Sequence, residues 1–193
     1  MTEIEEKLNL IYQHATDMIK FAEAKNAGLI AFNGAVIVGM VALLKDVYNI
    51  KWLAGYLIFV IIMNLVSLFL AMTALTALIL FRERKPVHLP GDNLQFFGTI
   101  ADYDPELFYR RFCEKYKLAP EKESFELDLA RQTVIVSQIA LRKFRLFNLA
   151  LLWTFAGVAT PVSVLVFKLF YNPSDSYYFA ARKMRKTRKI KPQ

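Results

Sequence analysis

The chain has 193 residues, 55% hydrophobic and 22% charged, with a formal net charge of +8, which leaves room for a single domain. Most of that excess is local: Arg182 to Gln193 holds seven Lys/Arg and no acid, so the rest carries 18 basic against 17 acidic residues and gives no reason to expect nucleic acid as a partner. One cysteine, Cys113, excludes an internal disulfide, and the acidic start MTEIEEK reads as no cleavable signal peptide.

In chain order, residues 3 to 44 are expected to form one helix, soluble in its first half and buried in lipid in its second. Over 1–26, read as a cytoplasmic amphipathic helix, Ile4, Leu8, Ile11, Ala15, Met18 and Ala22 recur at spacings of three and four. They make an apolar stripe that needs a partner. Residues 27–44 carry no charge over 18 positions, and residues 52–81 carry none over 30. About 20 apolar residues cross a hydrocarbon core of roughly 30 Å, so both are expected transmembrane helices. Ala27, Ala31, Ala35 and Gly39 fall every fourth residue in the first, a ladder that allows close backbone approach. The second has a comparable face in Asn64, Ser67, Ala71 and Ala74; the two faces either pack together or make an oligomer. KDVYNIK, residues 45–51, reads as a short hairpin between antiparallel spans.

Residues 82–145 are expected to be a cytoplasmic helical sensor segment. RERK at 82–85, then Pro86, Pro90 and Gly91, mark a helix end and a turn. Asp104 reads as an N-cap, with Pro105 at the first helical position and Glu106 beside the helix dipole. Pro120 with Glu121 and Glu123 opens another helix. That helix has no breaker before Pro161 and should run straight into a third span, 146–171, kinked or re-entrant at Pro161; a basic tail, 172–193, follows. The expected fold is all-α: an integral membrane protein with about three transmembrane helices extended into a small helical cytoplasmic layer. Lys20, Lys25, Arg82, Arg84, Lys85, Arg142, Lys143 and Arg145 outweigh Lys45 and Lys51, which puts the N-terminus and 82–145 in the cytoplasm. Three spans then put the basic tail outside, against the same rule.

His14 and His88 stand apart without ligand-spaced neighbours, so neither a metal nor a cofactor is expected. There is no Gly-rich phosphate loop, nucleophile elbow or paired-carboxylate motif, and the chain reads as not an enzyme. Glu121, Glu123, Glu126 and Asp128 read as solvated capping acids at a helix start. Two polar clusters are candidate ligand sites. Glu23, Lys25 and Asn26 sit where the first helix enters lipid, with Asn33 seven residues on from Asn26. Asp128, Arg131 and Gln132 form a patch, and Gln138, Arg142 and Arg145 lie further along. The simpler roles remain open: Lys25 can snorkel to headgroups, Arg131 can pair with Asp128, and the amides can bond helix to helix. A cation with amides around it is also what one phosphate and a base edge require.

Three stretches, FAEAKNAGLIAFNGA, LQFFGTIADYDPELFYRRF and DLARQTVIVSQIALRKFRLFNLA, resemble the Pycsar transmembrane effectors, the membrane arm of bacterial pyrimidine-cyclase antiphage systems. With the span layout, the resemblance covers about residues 15 to 160. Its pattern is an acid and a lysine two apart before the first span, a paired-aromatic strand or loop after the second, and a D-x-A-x-Q-like element before S-x-I-x-x-x-K. Glu23 and Lys25, Phe96 and Phe97, Asp128, Ala130 and Gln132, then Ser137, Ile139 and Lys143 stand at those places. Glu23 replaces the more usual aspartate, Asn26 a small residue, and the basic tail is outside the pattern. The resemblance implies a receptor for a cyclic pyrimidine mononucleotide, cCMP or cUMP, made by a partner cyclase. Binding would rearrange a homo-oligomer in the inner-membrane lipid and cause abortive infection. A membrane effector gated by a cyclic oligonucleotide, and a constitutive helical scaffold or pore subunit, remain the alternatives.

Overall fold

The computed structural model describes residues 2–76, 92–119 and 124–170, with side chains of the last stretch described over 125–159. Its elements are α1 (Glu3–Val47), α2 (Lys51–Leu75), α3 (Phe97–Ile100), α4 (Pro105–Tyr116) and α5 (Ser124–Phe170), with no strand among the described residues.

A capping box starts α1: Thr2 accepts from the Glu5 amide while the Glu5 carboxylate accepts from the Thr2 amide, and Glu3, Glu5 and Glu6 lie in the first turn. Nothing interrupts it for 45 residues, about 68 Å, or roughly twice a hydrocarbon core. Only Tyr48 to Ile50 separate α1 from α2, so the two run antiparallel, as the short hairpin implies. α5 runs parallel to α1, in a register fixed at three heights. Thr2 meets Glu126, Glu23 meets Lys143 and Asn33 meets Thr154.

Around the first half of α1 lies a compact helical layer. Ile4, Leu8 and Ile11 bury against Leu94, Ile100, Tyr103, Phe108, Phe112, Ala130 and Val134. That is the partner the apolar stripe requires; Ala15 and Ala22 are also buried, and Met18 is half-buried. α4 begins as its sequence dictates, with the Asp104 carboxylate accepting from the amides of Glu106 and Leu107 and Pro105 in the first turn. It ends at Lys117, which is left-handed at φ 54°.

Beyond the layer, α1, α2 and α5 form a three-helix bundle. α1 and α2 are long and apolar enough to cross a membrane, and both turn large apolar side chains outward: Val38 is 71% exposed and Phe69 68%. The span expected over 52–81 ends earlier as a helix, at Leu75. Thr76 is extended, and the Leu75 carbonyl accepts from the Lys143 ammonium. Residues 77–81 lie outside the described residues, as do RERK, His88, Pro120 to Glu123 and the basic tail. α5 continues as helix past position 161 to Phe170, so no re-entrant turn falls within it; a third span remains a proposal.

The two small-residue faces differ in fate. Asn64, Ser67, Ala71 and Ala74 are buried, whereas Ala27, Ala31, Ala35 and Gly39 face outward and α1 presents Ala22, Asn26, Leu29 and Asn33 instead. At the bundle's centre the Asn33 amide donates to Ser67 Oγ at 2.8 Å and Thr154 Oγ1 donates to Asn33 Oδ1 at 3.0 Å. Ser67 Oγ lies 2.7 Å from both Thr154 Oγ1 and the Ala150 carbonyl. One polar knot thus ties three helices where water is excluded. One turn away α5 passes α2 at Gly157, where a Cβ would stand 2.9 Å from Asn64 Nδ2 and 3.1 Å from Met63 Cβ.

Gly157→Ala should therefore push α2 and α5 apart and cost about 1–3 kcal/mol. Gly28→Ala, with nothing within 4 Å, should be neutral or stabilising; unfolding of both variants in detergent micelles checks the contrast. In the layer, burial and then the hydrogen bond to Asp92 push the Tyr103 phenol up to about 12 from 10.0. The folded state thus holds this proton more tightly, so its stabilisation is intact below pH 10 and is lost as pH rises through about 12. Tyr103→Phe should remove that alkaline loss of stability, seen by circular dichroism across the pH range.

Candidate functional site

Where α1 and α5 leave the helical layer, the chain buries an ammonium. The side chain of Lys143 is 4% exposed and lies 2.8 Å from a carboxylate oxygen of Glu23, which is 46% exposed. The same nitrogen donates to the Leu75 carbonyl at 3.4 Å. A cation at the carbonyl end of α2 is favoured by that helix's dipole, and one side chain joins three helices where α2 stops.

Lys25, two residues beyond Glu23, points elsewhere. Its ammonium stands 4.4 Å from the ring centre of Phe21, 5.5 Å from Phe147 and 5.8 Å from Phe144, within reach for cation–π attraction. Aromatic contacts extend outward: Phe21 to Phe144 at 6.2 Å, Phe144 stacked on Phe97 at 5.5 Å, and Phe97 to Phe96 at 4.8 Å. Asn26 is buried but does not bond across to another helix. Its amide turns back to the Ala22 carbonyl at 2.9 Å, and Oδ1 has no partner among the described residues. Of the two amides seven apart, Asn33 alone makes the expected cross-helix bond.

The eight candidate residues divide. Glu23, Lys25, Asn26 and Lys143 gather at this level. Arg131 lies 12 residues before Lys143, about 18 Å along α5, on an exposed face where it pairs with Asp128 and with Glu106 of α4, both at 3.2 Å. Gln132 is exposed nearby, and Gln138 donates to the Ala101 carbonyl at 3.3 Å. The simpler roles weighed for Arg131 and for the amide of Gln138 are the ones these contacts describe.

Glu126 corrects a reading. It is fully buried rather than solvated, accepting from Thr2 Oγ1 at 2.6 Å and from the Tyr109 hydroxyl. Burial first, then that hydrogen bond, pushes the Tyr109 phenol above its ordinary range, and burial likewise raises the Cys113 thiol. The carboxylate locks the start of α1 to α4 and α5. Its register with the buried Ala130, Thr133, Val134 and Ser137 was the available signal. Phe21, Phe144 and Phe147 carried none, since phenylalanines near a span read as ordinary apolar residues.

The profile of the Pycsar effector protein domain matches residues 7–170. The Pycsar effector protein RsPycTM of a Rhizobium species is 31% identical over 140 residues, 69% of this chain and 78% of that protein. No solved structure matches the chain.

The Lys143 junction gives an asymmetric expectation. Glu23→Ala strands a buried ammonium and should cost about 3 kcal/mol. Lys143→Met leaves a half-exposed carboxylate that can turn to water, and should cost about 1 kcal/mol. Unfolding of the two variants in the same detergent checks the order.

Proposed function

This chain belongs to the Pycsar effector protein domain family, and from that premise we propose that it is a membrane effector of bacterial antiphage defence switched by a cyclic pyrimidine mononucleotide. A partner cyclase supplies cCMP or cUMP to the cytoplasmic layer. The bound nucleotide changes how α1, α2 and α5 pack, and the inner membrane loses integrity. The protein acts by binding, without catalysis. It sits with three spans, its N-terminus and layer in the cytoplasm, as a homo-oligomer whose outward Ala27 to Gly39 ladder is available to a second copy.

One observation carries this reading: α1 and α5 each continue as unbroken helix from the layer into the apolar bundle, and a buried cation pins them together at the crossing. A ligand can shift such an equilibrium only by binding one arrangement better than another, and a site at the crossing touches elements that differ between arrangements. The packing also leaves room for a competitor. Asn26 Oδ1, Asn64 Oδ1 and Ser137 Oγ are buried without partners among the described residues, one on each helix of the bundle. Each unpaired atom costs about 1–3 kcal/mol, so an arrangement that satisfies them lies within reach of a ligand's binding energy.

A constitutive scaffold is favoured by a different observation, the closed Asn33, Ser67 and Thr154 knot, which needs no ligand. The readings separate in proteoliposomes loaded with dye. The effector reading expects cCMP or cUMP to bind the purified chain and to release dye. Silence in both assays, with either nucleotide, removes that reading and leaves the scaffold and the effector gated by a cyclic oligonucleotide. Arg131→Ala loses only exposed ion pairs, worth under about 1 kcal/mol, and should leave the leakage response unchanged.

A further inference from the structure

We infer that Lys25 and the phenylalanine ladder ending at Phe96 form the docking face for the nucleotide, with Lys25 holding the phosphate and Phe96 stacking the base; this rests on the receptor reading above. Lys25 is exposed, and among the described residues it meets no carboxylate, because Glu23 is committed to Lys143. Its ammonium lies over three rings. Ring quadrupoles hold a cation in place without neutralising it, so the charge is oriented yet free to take an anion.

From that cation the rings run in order Phe144, Phe97, Phe96, with centres 5.5 and 4.8 Å apart. Phe96 is the outermost and is 50% exposed. An exposed phenylalanine is ordinarily loose; this one is seated. Its ring lies over Gly98, where an added Cβ would collide with Cε1 and stand 3.0 Å from Cζ, and its other neighbour is Phe97. A fixed, half-open aromatic face is what base stacking uses, with little dependence on which base is stacked. A single cation and a single open ring, joined by the Phe144 and Phe97 rings between them, offer places for one phosphate and one base rather than for a longer oligonucleotide. Phe147, which faces Lys25, also packs against the apolar cluster of Leu29, Ala71 and Ala150, so drawing Lys25 toward an anion disturbs the ring that abuts all three helices of the bundle.

The test uses the full chain in detergent micelles and measures cCMP and cUMP affinity by calorimetry. Phe96→Leu and Lys25→Gln should each weaken binding about tenfold or more, the loss a stacked base or a phosphate contact typically shows. Gly98→Ala displaces only the far edge of the Phe96 ring and should weaken binding to a smaller degree at an unchanged melting temperature. It stands in if the other variants fold poorly. Phe125→Leu, at an exposed phenylalanine far from the ladder, should change nothing. Unaltered affinity in all three ladder variants overturns this site and leaves the receptor reading standing; no binding by the unmodified chain overturns both. A second arm titrates the same micelles with glycerol 3-phosphate, the phosphate-bearing part of a phosphatidylglycerol headgroup. If Lys25→Gln loses that binding while nucleotide affinity is retained, the cation belongs to lipid headgroups and the inference falls.

Discussion

Lys143 cannot leave its place cheaply. Its ammonium is buried where α2 ends, held by Glu23 on α1 and by the last carbonyl of α2, and a charge removed from water must stay paired. Every other feature of the crossing is arranged around that requirement. Glu23 is withdrawn from Lys25, two residues away, so Lys25 faces aromatic rings instead of an acid. α2 stops where its carbonyl end can meet the cation, so the layer begins there. The partner of Glu23 is 120 positions away in sequence, which fixes the parallel register of α1 and α5 at mid-height.

That register is held at both ends by different chemistry. In the helical layer the Glu126 carboxylate, buried among Thr2, Tyr109 and the apolar cluster, ties the first residues of α1 to α4 and α5. In the apolar bundle the contacts are neutral hydroxyls and amides, which suits a region where an unpaired charge is far more costly than an amide. The Lys143 pair lies between them. Two helices bonded at three heights over their shared length slide or tilt as units, because bending either one breaks backbone hydrogen bonds within it.

Much of this was legible in the sequence because it depends on local spacing. The unbroken α1, the stripe from Ile4 to Ala22, the Asp104 and Pro105 start of α4 and the pairing open to Arg131 all follow from periodicity, capping and neighbours within a helix turn. What was not legible depends on distant partners. Periodicity assigns Asn26 and Asn33 to one face without saying which of them meets a hydroxyl. It found two small-residue faces, yet only the one on α2 turns inward, because α1 uses the Asn26 and Asn33 face for its neighbours. Hydropathy also did not show where within the apolar run the described α2 ends, at Leu75, since it records what lipid tolerates and not where a cation meets a carbonyl. Glu126 read as a solvated cap because acids at helix starts usually are, although its register belonged to the buried side.

The division between Lys25 and Lys143 also bears on how a change in the helical layer would reach the three-helix bundle. The two cations stand at the same level of the same bundle, one neutralised and buried, the other exposed over rings. Among the described residues the exposed cation meets no carboxylate, so an anion taken up there displaces none of them. Its cage is not isolated: Phe144 reaches outward to Phe97 in the layer, and Phe147 reaches inward to Leu29, Ala71 and Ala150. Packed rings transmit displacement because protein interiors have little free volume to absorb it. A change at Lys25 therefore meets the layer on one side and all three helices of the bundle on the other, while the Lys143 pair keeps α1 and α5 moving together.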